Sequence, residues 1–324
     1  MPEMIVLKNL TKRFGPLVAV DNVSLTVGIG EVLGFLGPNG AGKSTTMRMI
    51  TGFIEPTSGT VEVCGHDVVR DLVAVKRRIG YLPEGAPTYG DMTPESYLGF
   101  IAEIRGFDGG DKRHRIDEVV AKVELGEVMR QPIETLSKGF KRRVGLAQAM
   151  IHDPDILIMD EPTDGLDPNQ KHQVRSLIRE MAASKAIVVS THILEEVEAV
   201  CSRAVIIARG RLLADGTPEE LVARAPNHNA VVIAIDAAHA ETARRHLEAL
   251  SSVKAVDSIG LSDGVARLRV LPRNAGLIAA DVGELARARN IPVREMFVER
   301  GALDEVFRAI TTGSPGSRAG TADA

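Results

Sequence analysis

Short, uninterrupted apolar runs recur through the first two thirds of the chain, at Glu31 to Leu36, Ile156 to Asp160, Ala186 to Ser190 and Ala204 to Ala208. Apolar residues at every position, without polar alternation, mark strands of a parallel sheet covered on both faces. Helical stretches separate these runs, so the pattern through about Ala225 predicts an α/β domain over residues 1–225. Between about Gly85 and Met150 the strand patterns vanish. A helix is predicted from Thr93-Pro94, where Thr caps the first turn and Pro suits it. This stretch, about 85–150, reads as a helical subdomain inserted in the α/β core.

Pro226-Asn227-His228-Asn229 reads as a linker, after which the pattern restarts. Strands are predicted at Ala230 to Ile235, Val253 to Ser258, Val265 to Val270 and Pro292 to Val298. Helices are predicted at Ala240 to Leu250 and Ala275 to Ala288. The order β-α-β-β-α-β predicts a small α+β, ferredoxin-like domain over 226–310. Thr311 to Ala324 is small, polar and free of aromatics, the composition of a disordered tail.

Composition narrows the class of partner. The 324 residues are 44% hydrophobic, enough to bury a core, and carry a formal charge of −4. That balance gives no general attraction to nucleic acid or to anionic lipid. Basic runs exist at Lys76-Arg77-Arg78, Lys112-Arg113-His114-Arg115 and Lys141-Arg142-Arg143, and each reads as a solvated helix face. The apolar runs fall far short of the roughly 18 to 20 residues that cross a bilayer. No secretory signal is visible at Met1 to Lys8, so a cytoplasmic location is expected. Cys64 and Cys201, the two cysteines, have no paired spacing and suggest packing roles in a reducing compartment.

The segment Gly37-Pro38-Asn39-Gly40-Ala41-Gly42-Lys43-Ser44, followed by Thr45, satisfies the phosphate-loop pattern between an apolar strand and a helix from Ser44 to Ile50. Glycines let successive N–H groups face an anion, and the helix directs its positive end at the phosphates. Lys43 would bridge the β- and γ-phosphates, and the Ser44 hydroxyl would hold Mg²⁺. The Ile156 strand ends in two carboxylates. Asp160 is placed to hold the Mg²⁺ opposite Ser44, and Glu161, kept extended by Pro162, would face an attacking water as general base. His192 follows the Ala186 strand and should reach the same sheet edge, where an imidazole can contact a γ-phosphate.

Leu136-Ser137-Lys138-Gly139-Phe140-Lys141-Arg142-Arg143 resembles the signature motif of ATP-binding cassette (ABC) ATPases. With Asp164-Gly165-Leu166-Asp167, Ser190-Thr191-His192 and Lys12-Arg13-Phe14-Gly15, it gives the family's motifs in the family's order over about residues 4 to 225. The resemblance implies an ATPase using ATP and Mg²⁺ as a head-to-tail homodimer. Ser137, Gly139 and Asp167 would then act in trans on the partner's nucleotide, while Phe14 would stack on adenine. Tyr81-Leu82-Pro83-Glu84 looks like the family's Q-loop with Glu in place of Gln, which makes Glu84 a further Mg²⁺ and catalytic candidate. Lys138 and Phe140 replace the usual Gly and Gln of the signature, leaving its serine and second glycine in place.

Glu84, the stretch Thr88 to Thr93, the phrase Gly145 to Pro154 and the extra C-terminal domain resemble the ATP-binding subunits of type-2 export systems, including gliding-motility-associated ones. The implied function is the ATP-hydrolysing motor of an exporter. It would be held at the inner face of the membrane by a separate integral-membrane permease, received around Glu84 to Met92. Two readings stay open beside it: a soluble ABC ATPase acting on nucleic acid, and a regulatory nucleotide-binding module.

Overall fold

The computed structural model describes residues 2–85, 88–274 and 276–312. The chain opens with β1 (Glu3–Phe14), β2 (Leu17–Gly28) and β3 (Val32–Leu36), then α1 (Lys43–Ile50), β4 (Ser58–Val63), β5 (His66–Asp67), α2 (Leu72–Arg78) and β6 (Ile79–Leu82). Three helices follow, α3 (Pro94–Ile104), α4 (Gly109–Lys122) and α5 (Lys138–Met150), with no strand among the described residues between β6 and β7. The first part closes with β7 (Ile156–Asp160), α6 (Pro168–Ala182), β8 (Ala186–Thr191), α7 (Leu194–Val200), β9 (Arg203–Ala208) and β10 (Arg211–Gly216), and α8 (Pro218–Val222) leads into the second. The helix expected from Thr93-Pro94 forms as α3, with the Thr93 hydroxyl accepting the Ser96 N–H and Pro94 in the first turn.

The four apolar runs become β3, β7, β8 and β9, which lie in one sheet of order β10-β9-β3-β8-β7-β6. Its strands are parallel except β10, which runs antiparallel to β9. Every residue of β3, β7 and β8 is buried. Side chains of the kind of Phe35 and Ile158, wholly inaccessible here, each contribute about 1.5–3 kcal/mol relative to exposure.

A second sheet, of order β2-β1-β4-β5 and antiparallel, was not expected from the pattern. Its strands do not keep a period of two. Ile5 and Leu7 face the core, but Asn9 takes a left-handed turn at φ 50° and a register shift puts Leu10, not Asn9, inward. Asn22, at φ 54°, does the same between Val20 and Val23 on β2. Asn tolerates that conformation, and such irregularities behave as β-bulges, which bend the strand and hide its alternation. The Ser24 hydroxyl accepts the Asn9 N–H at 2.8 Å and donates to its side-chain oxygen at 3.1 Å. Ile5, Leu7, Val61 and Val63 of this sheet share a core with Met47 and Ile50 of α1 and with Leu33 and Phe35 of β3.

The chain divides between Pro218 and Glu219, ahead of the expected boundary at Ala225. The second unit contains β11 (Ala230–Asp236), α9 (Ala240–Glu248), β12 (Val253–Ser262), β13 (Val265–Pro272), α10 (Ala279–Ala288), β14 (Val293–Glu299) and α11 (Leu303–Thr312). Its sheet order is β12-β13-β11-β14 with every neighbour antiparallel, the split β-α-β arrangement of a ferredoxin-like domain. The α9 and α10 side chains Leu247 and Val282 cover Val231, Ile233 and Val270 of that sheet.

The segment expected to be a linker is instead tied into this unit. The Asn227 amide donates to Glu305 at 2.8 Å, His228 Nδ1 lies 2.6 Å from the Arg300 carbonyl, and the Asn229 N–H donates to the Glu299 carbonyl at 2.9 Å. Polar, turn-forming residues here satisfy backbone groups rather than remain solvated. Helix α11 runs to Thr312, two residues into the expected tail, whose remainder lies outside the described residues.

Candidate functional site

Four of the parallel strands, β3, β6, β7 and β8, deliver a candidate residue at or just after their carboxyl ends. The phosphate loop follows β3, Asp160 ends β7, His192 follows β8 and Glu84 follows β6, so the shared strand direction brings distant sequence segments to one edge. A cleft of about 680 Å³ lies there, lined by Phe14, the loop residues Asn39 to Thr45, Glu84, Asp160 and Glu161. Gly37 and Pro38 sit beneath it and touch Lys43 through their carbonyls. A larger groove, about 990 Å³, lies against α3 and α4, but it has no phosphate loop, so size does not select the site.

The loop's shape follows from two glycines. Gly42 sits at φ 107°, and a Cβ there would meet the Ala19 carbonyl at 2.6 Å; a Cβ on Gly37 would meet the Ile207 carbonyl at 2.4 Å. No side chain fits either position without moving backbone. Helix α1 begins at Lys43, so its unpaired N–H groups and positive end face the cleft. The Lys43 ammonium donates to the Gly37 carbonyl at 2.7 Å and the Pro38 carbonyl at 3.2 Å. Burial pulls its pKa below the ordinary lysine value, while Glu161, Asp160 and Glu84 pull it back up. Phosphate oxygens arriving here would meet a desolvated cation.

Opposite the loop, Asp160 is 2% exposed and accepts a hydrogen bond from the Ser190 hydroxyl. Glu161 is not extended as expected: its φ is 52°, a left-handed turn. This conformation is uncommon in a non-glycine residue and costs of order 1–3 kcal/mol where surrounding contacts hold it. The contacts are present. The Glu161 N–H donates to the Ser190 carbonyl at 3.1 Å, and its own carbonyl accepts the Asp164 N–H at 3.1 Å and the Arg142 guanidinium. The turn swings the carboxylate to His192, whose Nδ1 lies 2.9 Å from Glu161 Oε1.

Burial raises the Glu161 pKa above the ordinary carboxylate value, and Asp160 adds to this, against the lowering effects of His192 and Lys43. A base works only when deprotonated, so a raised pKa moves the loss of activity to higher pH. The acid limb of kcat/KM, which reports the free protein, is expected above the ordinary glutamate value of about 4.3. A pH profile that stays flat through that range would oppose the assignment.

Ser44, Asp160 and Glu84 line one cleft and offer only oxygen donors, the set a hard cation such as Mg²⁺ takes. Phe14 stands about half exposed at the cleft wall, with the Lys12 ammonium 5.1 Å from its ring centre.

Ser137, Gly139 and Asp167 do not line this cleft. Ser137 caps α5 by accepting the Phe140 N–H at 3.3 Å and is exposed. Asp167 caps α6 in a reciprocal pair with Gln170, whose amide oxygen would lie 2.6 Å from a Cβ on Gly139.

Several residues at or near the site were not singled out from the sequence. Leu17, Val18, Ala19 and Arg209 complete the cleft lining. Glu196 of α7, 4% exposed, accepts from the hydroxyls of Thr163 and, at 3.0 Å, Thr191, joining the segments that follow β7 and β8. The run Lys141-Arg142-Arg143 is not a solvated face. Arg142 and Arg143 are buried, and Arg143 donates to Gln173 at 2.6 Å and to the Val123 carbonyl at 3.2 Å. Guanidinium groups can be buried when every donor finds an oxygen.

A positive helix end facing the cleft, with carboxylates on neighbouring strand ends, places the first unit in the phosphate-loop nucleotide-binding class. Residues 20–164 match the family model described as ABC transporter. The Nod factor export ATP-binding protein I of Paraburkholderia xenovorans (strain LB400) is 37% identical over 225 residues, 69% of this chain and 74% of that protein. The linearmycin resistance ATP-binding protein LnrL of Bacillus subtilis (strain 168) is 29% identical over 309 residues, 95% of this chain and 98% of that one. A dimeric post-hydrolysis state of the ATP-binding cassette MJ0796, bound to ADP and Pi, superposes with a TM-score of 0.63 at 25% identity, covering 66% of this chain and 99% of that one. The chain belongs to the ATP-binding subunits of ABC transporters. It spans 39% of the length of another relative, the probable multidrug ABC transporter ATP-binding protein YbhF of Escherichia coli (strain K12), at 37% identity over 225 residues, 69% of this chain.

Proposed function

We propose that this chain is the ATP-hydrolysing motor subunit of an exporter, working as a head-to-tail dimer beside a separate membrane permease. The observation that carries the reading is the convergence of Lys43, Asp160, Glu161 and Glu84 on one cleft, with His192 hydrogen-bonded to Glu161. The loop N–H groups and Lys43 bind and orient the triphosphate, and Glu161 takes the proton of the attacking water. Ser44, Asp160 and Glu84 are the residues that would hold Mg²⁺. Bound there, the ion would supply charge neutralisation at the phosphates.

The positions of the remaining motif residues support the dimer. Ser137 is exposed at the amino end of α5 and away from this cleft, so its helix end is free to meet a nucleotide carried by another copy. The cassette similar to this chain and bound to ADP and Pi is a dimer. Export is supported by the names of relatives, which include Nod factor export and linearmycin resistance proteins. No helix among the described residues is long and apolar enough to cross a membrane, and in the proposed arrangement a separate permease supplies the transmembrane path and holds the subunit at the membrane's inner face. Tyr89, exposed and edge-on to Tyr97 and Phe100 at 6.2 and 6.1 Å, lies in the stretch proposed to receive that permease.

The second unit is proposed to support dimerisation or regulation, because its sheet and helices form their own core and carry none of the nucleotide motifs. A chain ending at Pro218 is therefore expected to remain soluble, to unfold cooperatively on heating, and to bind Mg-ATP with affinity within a few-fold of the full chain. Calorimetry and nucleotide titration check this. An insoluble truncated chain would mean that the nucleotide-binding part depends on the residues removed.

A further inference from the structure

Arg142 is a buried cation whose hydrogen bonds, among the described residues, all go to backbone. It projects from α5 and is 5% exposed. Nη2 donates to the carbonyls of Asp160 and Glu161, Nη1 donates to the Pro83 carbonyl at 3.0 Å, and Nε points at the Pro162 carbonyl at 3.4 Å. These carbonyls belong to two chain segments: the residue before Glu84, and the strand end and turn that carry both acidic side chains.

A guanidinium is a rigid planar fork of donors. Bonding it to main-chain oxygens fixes the path of the backbone itself and leaves the carboxylates of Asp160, Glu161 and Glu84 free for the cleft. Burial disfavours the charge on Arg142, and the nearby Asp160, Asp164, Glu161 and Glu84 carboxylates support it. The left-handed turn at Glu161 needs an external hold, and Arg142 grips the turn's own carbonyl.

We propose that Arg142 is a positioning residue for hydrolysis, holding the Glu161 turn and the Glu84 loop in the one arrangement that aims both carboxylates into the cleft. It does not line the cleft and acts through Glu161. The proposal rests on the reading of Glu161 as the base. Because a displacement of about 1 Å can cost about 10²-fold in rate, Arg142→Gln, too short to span the two segments, is expected to lower kcat about 10²-fold. The KM for ATP should change little, because the phosphate loop and Phe14 are not among its partners. Arg142→Lys keeps the charge but has one donor atom in place of three, and is expected to fall between the parent and Arg142→Gln.

The test is a double-mutant comparison, following release of labelled phosphate at saturating Mg-ATP, with nucleotide affinity and melting temperature recorded for each protein. In the parental background Arg142→Gln should show the full loss in kcat. In the Glu161→Gln background it should add less than about twofold, as residues that act as a unit are not additive. An equal fold loss in both backgrounds, or a parental kcat for Arg142→Gln, would overturn the proposal. So would a loss that tracks nucleotide affinity. Should Arg142→Gln fail to fold, the same comparison with Arg142→Lys decides by the same outcomes. If Glu161→Gln alone hydrolyses at the parental rate, the base assignment fails; if it is slow while the Arg142 variants are not, only the role of Arg142 fails.

Discussion

Glu161→Gln is expected to bind Mg-ATP as tightly as the parent and to hydrolyse it about 10²- to 10⁴-fold more slowly, the usual worth of a positioned base. The substitution is nearly isosteric, so the left-handed turn and its backbone bonds to Ser190, Asp164 and Arg142 should persist. The side-chain amide can still meet His192, which lies 2.9 Å from the carboxylate in the parent. What disappears is the one group at that position able to accept a proton. Burial raises the Glu161 pKa above that of an exposed glutamate, which makes the carboxylate a better proton acceptor. Steady-state phosphate release together with equilibrium nucleotide titration makes the measurement. Parental turnover in the variant would remove Glu161 from the chemistry.

Ser137→Arg should give the second large effect, a fall in hydrolysis of the order of 10²-fold or more, without loss of nucleotide affinity. Ser137 lies away from the cleft of its own chain, so bulk placed there cannot disturb the phosphate loop that binds ATP. It would instead block the helix end from the γ-phosphate of a partner. Mixing Ser137→Arg with Lys43→Ala chains creates dimers in which one site is damaged twice and the other is intact. Activity is therefore expected to return when two nearly inactive proteins are combined. Mixtures that stay inactive, with exchange of chains demonstrated, would contradict independent sites built in trans.

The parts of the site legible in the sequence are those that chemistry requires to be contiguous. A phosphate loop needs its glycines, Lys43 and Ser44 within one turn between a strand and a helix, and Asp160 needs an apolar strand to carry it; both patterns survive as β3 with α1, and as β7. The pattern after Asn229 likewise predicts the order of the second unit, because its strand-forming runs are separated by turn residues and helical stretches. What stayed hidden depends on contacts between segments far apart. Asn9 and Asn22 break the alternation of β1 and β2 by one residue each, so the antiparallel sheet leaves no period-two signal. The left-handed turn at Glu161 comes from Ser190 and Arg142, not from the proline that follows it. Arg142 and Glu196 lie in runs of like charge, at Lys141-Arg142-Arg143 and Glu195-Glu196, where the residue types suggest solvent and only the fold supplies buried partners.

If ATP is hydrolysed at a site that two copies of the chain complete together, turnover must depend on protein concentration. With a preparation that sedimentation shows to be monomeric at the lowest concentration, ATP hydrolysis per chain should start near zero. It should climb as the concentration is raised, and level off as dimers come to dominate in Mg-ATP. Hydrolysis per chain that is already maximal where the protein is monomeric would show that each copy works alone, and an absence of hydrolysis at every concentration would contradict the ATPase reading itself.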